Sequence, residues 1–500
     1  MANDFEQEIA EGYSFGTPSL LLGAPLREGK VAAPTPIVLP VAMVNRHGLI
    51  AGATGTGKTK SLQSLAGQLS ALGVPAFLAD LKGDLSGLAS DGVSSPKIEE
   101  RARACGIPFK PQSNPVEFVS LTGTSGIQLR ATVSSFGPIL LARALGLNET
   151  QQSVLALVFR FCDEKKLLLL DLPDLREVLR YLTGEGSAEL EQFGGISKAT
   201  AGVLLRKIVE LEQQGADVFF GEPEFDVDDL LRVDERGRGI LTTLELSDIQ
   251  DRPALFSTFM MWLLASLYRE LPEVGDVEKP KLVFFFDEAH LLFEEASKAF
   301  LDEIEQVVRL IRSKGVGVFF ITQAPKDVPP DVLAQLGNRI QHALRAFTPD
   351  DEKAIRATAN TFPRTTYYDI PKTLTSLGIG EALVTVLGPR GTPTPVVATL
   401  MAPPMSLMGA IPPEEIARHV ASSRLHDHYA KAIDRESARE VLQARVAEAP
   451  AGRAAGAPTA VDTVGTILKS PMARAVGREL VRGLFGVLGV STSTRRRSRW

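Results

Sequence analysis

The sequence predicts an α/β fold in which a mostly parallel sheet is covered by helices on both faces. Three observations predict it: short apolar runs typical of buried strands, longer stretches with apolar residues at helical spacing, and the alternation of the two along the chain. Parallel strands need a crossover connection, which a helix usually supplies. The strand-like runs lie at residues 48–51, 75–80, 239–246, 281–286, 317–321, 341–347 and 382–387.

Changes of pattern divide the chain into segments around this sheet. Gly and Pro are frequent at the start, helical periods dominate the middle, and Ala, Gly and Pro form a linker near the end. The expected segments are an N-terminal lead-in (1–45), the first part of the core (46–94), a helical insertion (95–235), the second part of the core (236–402), a C-terminal helical segment with one helix from 413 to 449 (403–449), and a linker, short apolar segment and basic tail (450–500).

Composition is that of a globular protein long enough for a large core. The chain has 500 residues, of which 44% are hydrophobic and 23% charged. Its formal net charge of -6 provides no global basic field, so a contact with nucleic acid requires a local basic patch.

Several features predict a cytoplasmic location. The two cysteines, Cys105 and Cys162, are far apart without a CxxC pattern, which suits a reducing compartment and buried thiols. The acidic N-terminus lacks the basic-then-apolar order of a secretion signal. The most apolar stretch, 256–268, is shorter than the roughly 20 residues that cross a bilayer.

A glycine-rich loop follows the first core strand and precedes a helical pattern. It fits G-x-x-x-x-G-K-[ST], with glycines that let backbone N–H groups wrap around phosphate oxygens at a helix N-terminus. Lys58 is expected to reach the β- and γ-phosphates and Thr59 to bind a magnesium ion. The alternative is a glycine-rich turn that binds nothing. The expected phosphate-binding residues are Gly52, Ala53, Thr54, Gly55, Thr56, Gly57, Lys58 and Thr59.

A pair of carboxylates, Asp287 and Glu288, follows the apolar run 281–286. A buried strand that ends in a carboxylate delivers it beside the metal of a nucleotide site, so Asp287 is expected to hold magnesium through water. Glu288 is then placed to orient and deprotonate an attacking water molecule. Alternatively, Glu288 is a carboxylate at a helix N-terminus that offsets the helix dipole.

Polar residues also end two other predicted strands. Gln323 follows the run 317–321 and is expected to contact the γ-phosphate or the attacking water, although ordinary hydrogen bonding at a strand end is the alternative. Asp80 begins Asp-Leu-Lys-Gly-Asp and either helps to place the metal, couples the site to a bound polymer, or caps a turn.

Arginines are the candidates for contacts between subunits. Arg345 is expected to reach a neighbouring subunit's γ-phosphate, with a salt bridge as the alternative for it and for Arg339. Arg309 and Arg312 share one predicted helix face, which is either a contact patch or simply solvated.

Five motifs in order resemble a known family. They read Gly-Ala-Thr-Gly-Thr-Gly-Lys-Thr at 52–59, Phe-Leu-Ala-Asp-Leu-Lys-Gly-Asp-Leu at 77–85, Phe-Asp-Glu-Ala-His at 286–290, Ile-Thr-Gln-Ala-Pro at 321–325 and Leu-Arg-Ala-Phe-Thr-Pro at 344–349. Together they are similar to the bacterial DUF853 group with a HerA-like helicase C-terminal domain, within the HerA-FtsK branch of P-loop ATPases. The resemblance covers nearly the whole chain.

This resemblance implies a RecA-like core that uses ATP and Mg²⁺, with Glu288 matching the catalytic glutamate and Gln323 the polar strand-end residue. It further implies homohexameric rings that act as helicases or move along double-stranded DNA, with Arg345 matching the arginine supplied between subunits. Relatives with translocase activity carry a β-barrel before the glycine loop, whereas about fifty residues precede that loop here.

The sequence therefore predicts a cytosolic ATPase that converts hydrolysis into motion on DNA. The alternative is an ATP-dependent switch or assembly protein. Its partner would be another protein or a membrane surface, contacted through the apolar segment 476–490 and the terminal arginines.

Overall fold

One large sheet organises the protein. In the computed structural model, the residues described are 2–32, 35–275, 277–293 and 298–448. Within them, thirteen strands belong to the sheet. They are β1 (Ser19–Arg27), β2 (Lys30–Val31), β3 (Ile37–Pro40), β4 (Gly48–Ala51), β5 (Ala76–Asp80), β6 (Val116–Ser120), β7 (Ile127–Gln128), β8 (Leu241–Glu245), β9 (Leu282–Phe286), β10 (Val316–Thr322), β11 (Asn338–His342), β12 (Glu381–Thr385) and β13 (Val397–Met401).

The strand order is β2-β1-β13-β12-β11-β4-β10-β9-β5-β8-β6-β7, with β3 also paired to β1. From β11 to β7 all neighbouring strands are parallel. The strands on the other side of β11 pair antiparallel. The predicted α/β fold with a mostly parallel sheet is therefore confirmed.

Helices connect the strands and cover both faces of the sheet. They are α1 (Ala2–Gly12), α2 (Lys58–Ala71), α3 (Pro96–Ala104), α4 (Val133–Ala144), α5 (Glu149–Lys165), α6 (Leu172–Thr183), α7 (Lys198–Leu211), α8 (Pro253–Glu270), α9 (His290–Phe293), α10 (Lys298–Ile311), α11 (Pro330–Leu333), α12 (Pro349–Ala359), α13 (Ile370–Ser376), α14 (Pro413–Ser422), α15 (Arg424–Tyr429) and α16 (Ala438–Glu448).

Strand β9 shows why the central strands have continuous apolar sequences. Phe284 and Phe286 belong to a core cluster that includes residues of α8 and α10, whereas Phe285 belongs to a second cluster with residues of α2. Successive side chains of a strand point to opposite faces, so a strand covered on both faces is apolar at every position.

The first 45 residues are more ordered than the expected extended lead-in. They contain α1 and the strands β1, β2 and β3, and β1 pairs with β13. Phe5 and Ile9 lie one helical turn apart and are buried, at 0% and 1% exposure. The Gly and Pro residues that suggested a lead-in lie mainly after this helix in the sequence.

The middle of the chain, 95–235, is not purely helical. It contains α3 to α7, but β6 pairs with β8 and β7 pairs with β6, so both strands extend the sheet. The strands are short, and only the last three residues of β6 are buried, which explains why the helical periods around them dominate the sequence pattern.

The expected single helix from 413 to 449 is instead three helices, α14, α15 and α16. Ser423 separates the first two, and its hydroxyl accepts a hydrogen bond from the Leu425 backbone N–H. The linker, apolar segment and basic tail expected at 450–500 lie outside the described residues. In the described part of the chain, no helix is both long and apolar enough to cross a membrane.

Candidate nucleotide-hydrolysis site

The glycine loop joins β4 to α2 at the edge of the sheet where the parallel strands end. Gly52 has φ of 156°, and a Cβ atom there would lie 2.5 Å from the Cβ atom of His342. Gly57 has φ of 114° immediately before α2 begins. Both positions need glycine because L side chains rarely adopt these angles and the space beside Gly52 is filled. The motif thus has the strand, loop and helix that phosphate binding requires.

Lys58 folds over this loop. Its Nζ atom donates hydrogen bonds to the carbonyl oxygens of Gly52, at 2.8 Å, and Ala53, at 3.3 Å. Burial lowers the pKa of Lys58, and the nearby charges of Glu288 and Asp287 oppose that shift. The ammonium group therefore lies in the field of both predicted catalytic carboxylates.

His342, at the end of β11, packs against the glycine loop and the start of α2. Its Nε2 atom is 2.9 Å from the Ser61 hydroxyl oxygen, and the imidazole is fully buried. Burial lowers the pKa of His342 to about 4, so the ring is neutral at pH 7. No local sequence pattern indicates this contact, because it joins residues that are far apart along the chain.

Asp287 and Glu288 follow β9, as predicted, and they occupy different environments. Asp287 Oδ1 accepts a hydrogen bond of 2.9 Å from the Glu288 backbone N–H. Burial, and then the charge of Glu288, raise the pKa of Asp287 to about 7. A cation beside this carboxyl group would favour its charged form. Its oxygen atoms and the hydroxyl of Thr59 are donors of the kind that Mg²⁺ binds.

Glu288 has φ of 49°, a left-handed conformation that is uncommon for a residue with a side chain. Its side chain is buried, and Oε1 forms a salt bridge with Lys82. Oε2 has no hydrogen-bond partner among the described residues and lies 3.4 Å from His290 Nδ1. Backbone strain at a buried carboxylate is frequent in functional sites.

Asp80 organises the turn that follows β5. Its carboxylate accepts hydrogen bonds from the backbone N–H groups of Lys82, Gly83 and Leu85, at 3.1, 2.8 and 2.7 Å. Of the roles considered for Asp80, the geometry favours the capped turn. Burial raises its pKa to about 6. This turn presents Lys82, which belongs to the motif at 77–85. No local pattern in the sequence pairs this lysine with Glu288.

Gln323 and Arg345 line one cavity of about 580 Å³ together with Ala53 of the glycine loop and His290. Gln323 is exposed and directly follows Thr322, whose hydroxyl donates to Asp327 at 2.8 Å. Gln323 thus borders the same cavity as the glycine loop, while the hydrogen bond between Thr322 and Asp327 holds the turn that follows.

Arg345 lies beyond β11, because the strand expected at 341–347 instead spans Asn338–His342. The guanidinium is exposed and donates to the carbonyl oxygen of Thr375 at 3.1 Å. Arg339 donates to the carbonyl oxygens of Leu336 and Thr361.

The two arginines of the expected helical patch, Arg309 and Arg312, are both exposed. Arg309 lies near the end of α10, and Arg312 lies in the short turn of helix that follows it. The two residues therefore remain available to solvent or to a partner.

Comparison with known proteins identifies relatives over most of the chain. The family model for the helicase HerA-like C-terminal domain matches residues 26–463. The probable helicase MJECL08 of Methanocaldococcus jannaschii is 31% identical over 154 residues, which cover 29% of this chain and 28% of that protein. The DNA double-strand break repair helicase HerA of Sulfolobus acidocaldarius is 21% identical over 347 residues, covering 68% of this chain and 62% of the relative. Each alignment spans less than two thirds of the relative.

Among solved structures, the plasmid coupling protein TrwB in complex with ADP and Mg²⁺ has a similar fold. The TM-score is 0.52 at 16% identity, and the alignment covers 80% of this chain and 98% of TrwB. This likeness concerns the fold. The predicted resemblance to HerA-like P-loop ATPases is confirmed by the family match.

Proposed function

Because this chain belongs to the family of HerA-like helicase C-terminal domains, we propose that it hydrolyses ATP and uses the energy to move along double-stranded DNA. Family membership places the chain among the P-loop ATPases. The use of hydrolysis for movement, the DNA substrate and the assembly of subunits are proposals that go beyond this family membership.

One observation carries the proposal of hydrolysis: three parallel strands bring a phosphate loop, a carboxylate pair and a polar residue to one edge. Thr322 of β10 pairs with Ala51 of β4, and Phe320 of β10 pairs with Phe286 of β9. The residues that directly follow these strands therefore lie side by side. The alternative, a glycine-rich turn that binds nothing, does not account for the buried carboxylates of Asp287 and Glu288 near Lys58.

In the proposed site the backbone N–H groups of residues 52–59 hold the phosphates, and Lys58 reaches the β- and γ-phosphate oxygens. Thr59 and Asp287 would hold Mg²⁺, which would offset the charge that develops on the phosphate oxygens. Two protein donors suit this ion, which usually keeps water and phosphate ligands.

Glu288 orients the attacking water and takes its proton, and Gln323 contacts the γ-phosphate or that water. The distinct surroundings of the two carboxyl groups support this division of roles. Asp287 lies at the strand end, where a cation would favour its charged form, whereas Glu288 has a left-handed backbone and pairs with Lys82.

We propose a cytoplasmic homohexameric ring in which Arg345 contacts the nucleotide of the neighbouring subunit. Its exposed guanidinium, held by one backbone carbonyl, supports this role. The same arginine lines a cavity with its own chain's Ala53, so a contact within the subunit is the competing geometry. An arginine at a γ-phosphate stabilises transition-state charge.

The DNA substrate is proposed from the family and from the Sulfolobus relative, a DNA double-strand break repair helicase. The test is native mass measurement with and without ATP and duplex DNA, alongside hydrolysis assays over a range of salt concentrations. We expect a hexamer and a DNA-stimulated rate that falls as salt increases, since phosphate contacts release counterions. Hydrolysis that is indifferent to DNA would contradict the DNA proposal and leave the ATPase proposal intact.

A further inference from the structure

Lys82 holds the proposed general base. Its Nζ atom donates to Glu288 Oε1, and the two side chains differ sharply in exposure, at 49% for Lys82 and 7% for Glu288. The pairing joins the turn after β5 to the end of β9, two adjacent parallel strands. One partner is thus fixed in the interior while the other can leave toward solvent.

The backbone beneath Lys82 is anchored. Asp80 receives the three N–H groups of this turn, and the Leu81 carbonyl oxygen accepts a hydrogen bond of 2.8 Å from the Gln250 side chain. Only the flexible lysine side chain therefore needs to move in order to break the contact. A lysine has four methylene groups and a strongly hydrated ammonium group, which favour such a movement.

The contact affects what Glu288 can do. A general base must offer an oxygen atom to the proton of water, and the Lys82 ammonium group occupies Oε1. The second oxygen, Oε2, is buried without a hydrogen-bond partner among the described residues. While Lys82 stays in place, one oxygen atom of the carboxylate is therefore occupied and the other is buried.

We propose that Lys82 is a positioning residue that restrains Glu288, and that a phosphate of the DNA backbone withdraws Lys82 and frees the carboxylate for hydrolysis. This inference rests on the proposed ATPase and DNA activities. Lys82 is half exposed at the sheet edge, and a lysine ammonium binds phosphate as a point charge. The contact would couple DNA binding to turnover through one side chain.

The test compares Lys82→Gln with the wild-type protein, with Lys82→Arg, and with Lys207→Gln. Lys207 is a matched control, because it pairs with Glu210 at 2.8 Å on the exposed surface of α7. Steady-state hydrolysis is measured with and without duplex DNA, and thermal melting monitors folding. We expect Lys82→Gln to raise the DNA-free kcat by about two- to fivefold, the range of a partly exposed ion pair, and to leave KM for ATP unchanged.

DNA should then stimulate Lys82→Gln less than the wild type, while Lys82→Arg keeps the wild-type ratio. The restraint is contradicted if Lys82→Gln leaves the DNA-free kcat unchanged or lowers it while melting like the wild type. The DNA step is contradicted if Lys82→Gln gains DNA-free activity but keeps full stimulation. Absence of DNA stimulation in the wild type would instead count against the proposed DNA function, and the DNA-free comparison would still test the restraint.

Discussion

The Lys58 ammonium group lies 2.8 Å from the carbonyl oxygen of Gly52, six residues earlier in the same loop. Two backbone carbonyls and two nearby carboxylates thus hold the lysine over the phosphate-binding backbone. Lys58→Ala removes the group that would contact the phosphates, so we expect ATP affinity to fall by at least about tenfold, which calorimetry or a fluorescent nucleotide would measure. Lys60→Ala is the control, because Lys60 instead contacts Gln63 at 3.2 Å. Equal ATP affinity in the wild type and Lys58→Ala would contradict the assignment of the loop.

Glu288→Gln should retain ATP and lose turnover. Glutamine keeps the shape of the side chain but cannot accept the proton of the attacking water, so kcat should fall by about 10²- to 10⁴-fold. Single-turnover kinetics and equilibrium ATP binding, measured on the same preparation, separate the two effects. Glu235→Gln, at a side chain that is 89% exposed, is the matched control. An unaltered rate in Glu288→Gln would remove this residue from the role of base.

Mixing two inactive variants tests whether Arg345 acts between subunits. Arg345→Ala subunits keep Lys58, and Lys58→Ala subunits keep Arg345, so a mixed interface contains both groups around one nucleotide. We expect hydrolysis to recover partly in mixed assemblies, and native mass spectra should verify that mixing has occurred. If a verified mixture shows no more activity than its components, Arg345 does not act in trans.

Glu245 predicts a pH dependence of stability. It ends β8 beside Asp80, and burial raises its pKa to about 8. A carboxyl group whose folded-state pKa is raised favours the folded protein fully below its unfolded pKa, and this contribution is lost as the pH rises through about 8.

Glu245→Gln should therefore gain stability relative to the wild type between pH 5 and pH 8.5, on the order of 4 kcal/mol. Thermal melting of both proteins across that range is the measurement. Because Asp80 titrates in both proteins, the quantity to compare is the difference in stability between the wild type and Glu245→Gln at each pH. A difference that stays constant over this range would show that Glu245 is not the buried titrating group.

The parts of the fold that the sequence predicted are those with a strong local signal. The run Leu282–Phe286 is apolar at every position because β9 is covered on both faces, and the glycine loop is recognisable because its backbone angles require glycine. Helix α1 was missed because the surrounding Gly and Pro residues outweighed its short apolar face. The early end of β11 was missed because Leu344 is apolar without belonging to a strand.

The contacts that complete the candidate site were beyond prediction from the sequence. Lys82 meets Glu288 only because β5 and β9 are neighbours, and His342 meets Ser61 only because β11 lies beside β4. Strand order is a property of the whole chain, and no local pattern encodes it. Once the strand order is known, residues 80–84 are seen to form an anchored turn that places Lys82 beside Glu288.

The sharpest test of movement along DNA is the displacement of a third strand from duplex DNA. A triplex-forming oligonucleotide is bound to a linear duplex, and its release is followed by gel or fluorescence during ATP hydrolysis. We predict ATP-dependent displacement by the wild-type protein and none by Glu288→Gln, which should bind the same DNA. A wild-type protein that binds the duplex and hydrolyses ATP without displacing the third strand would contradict translocation.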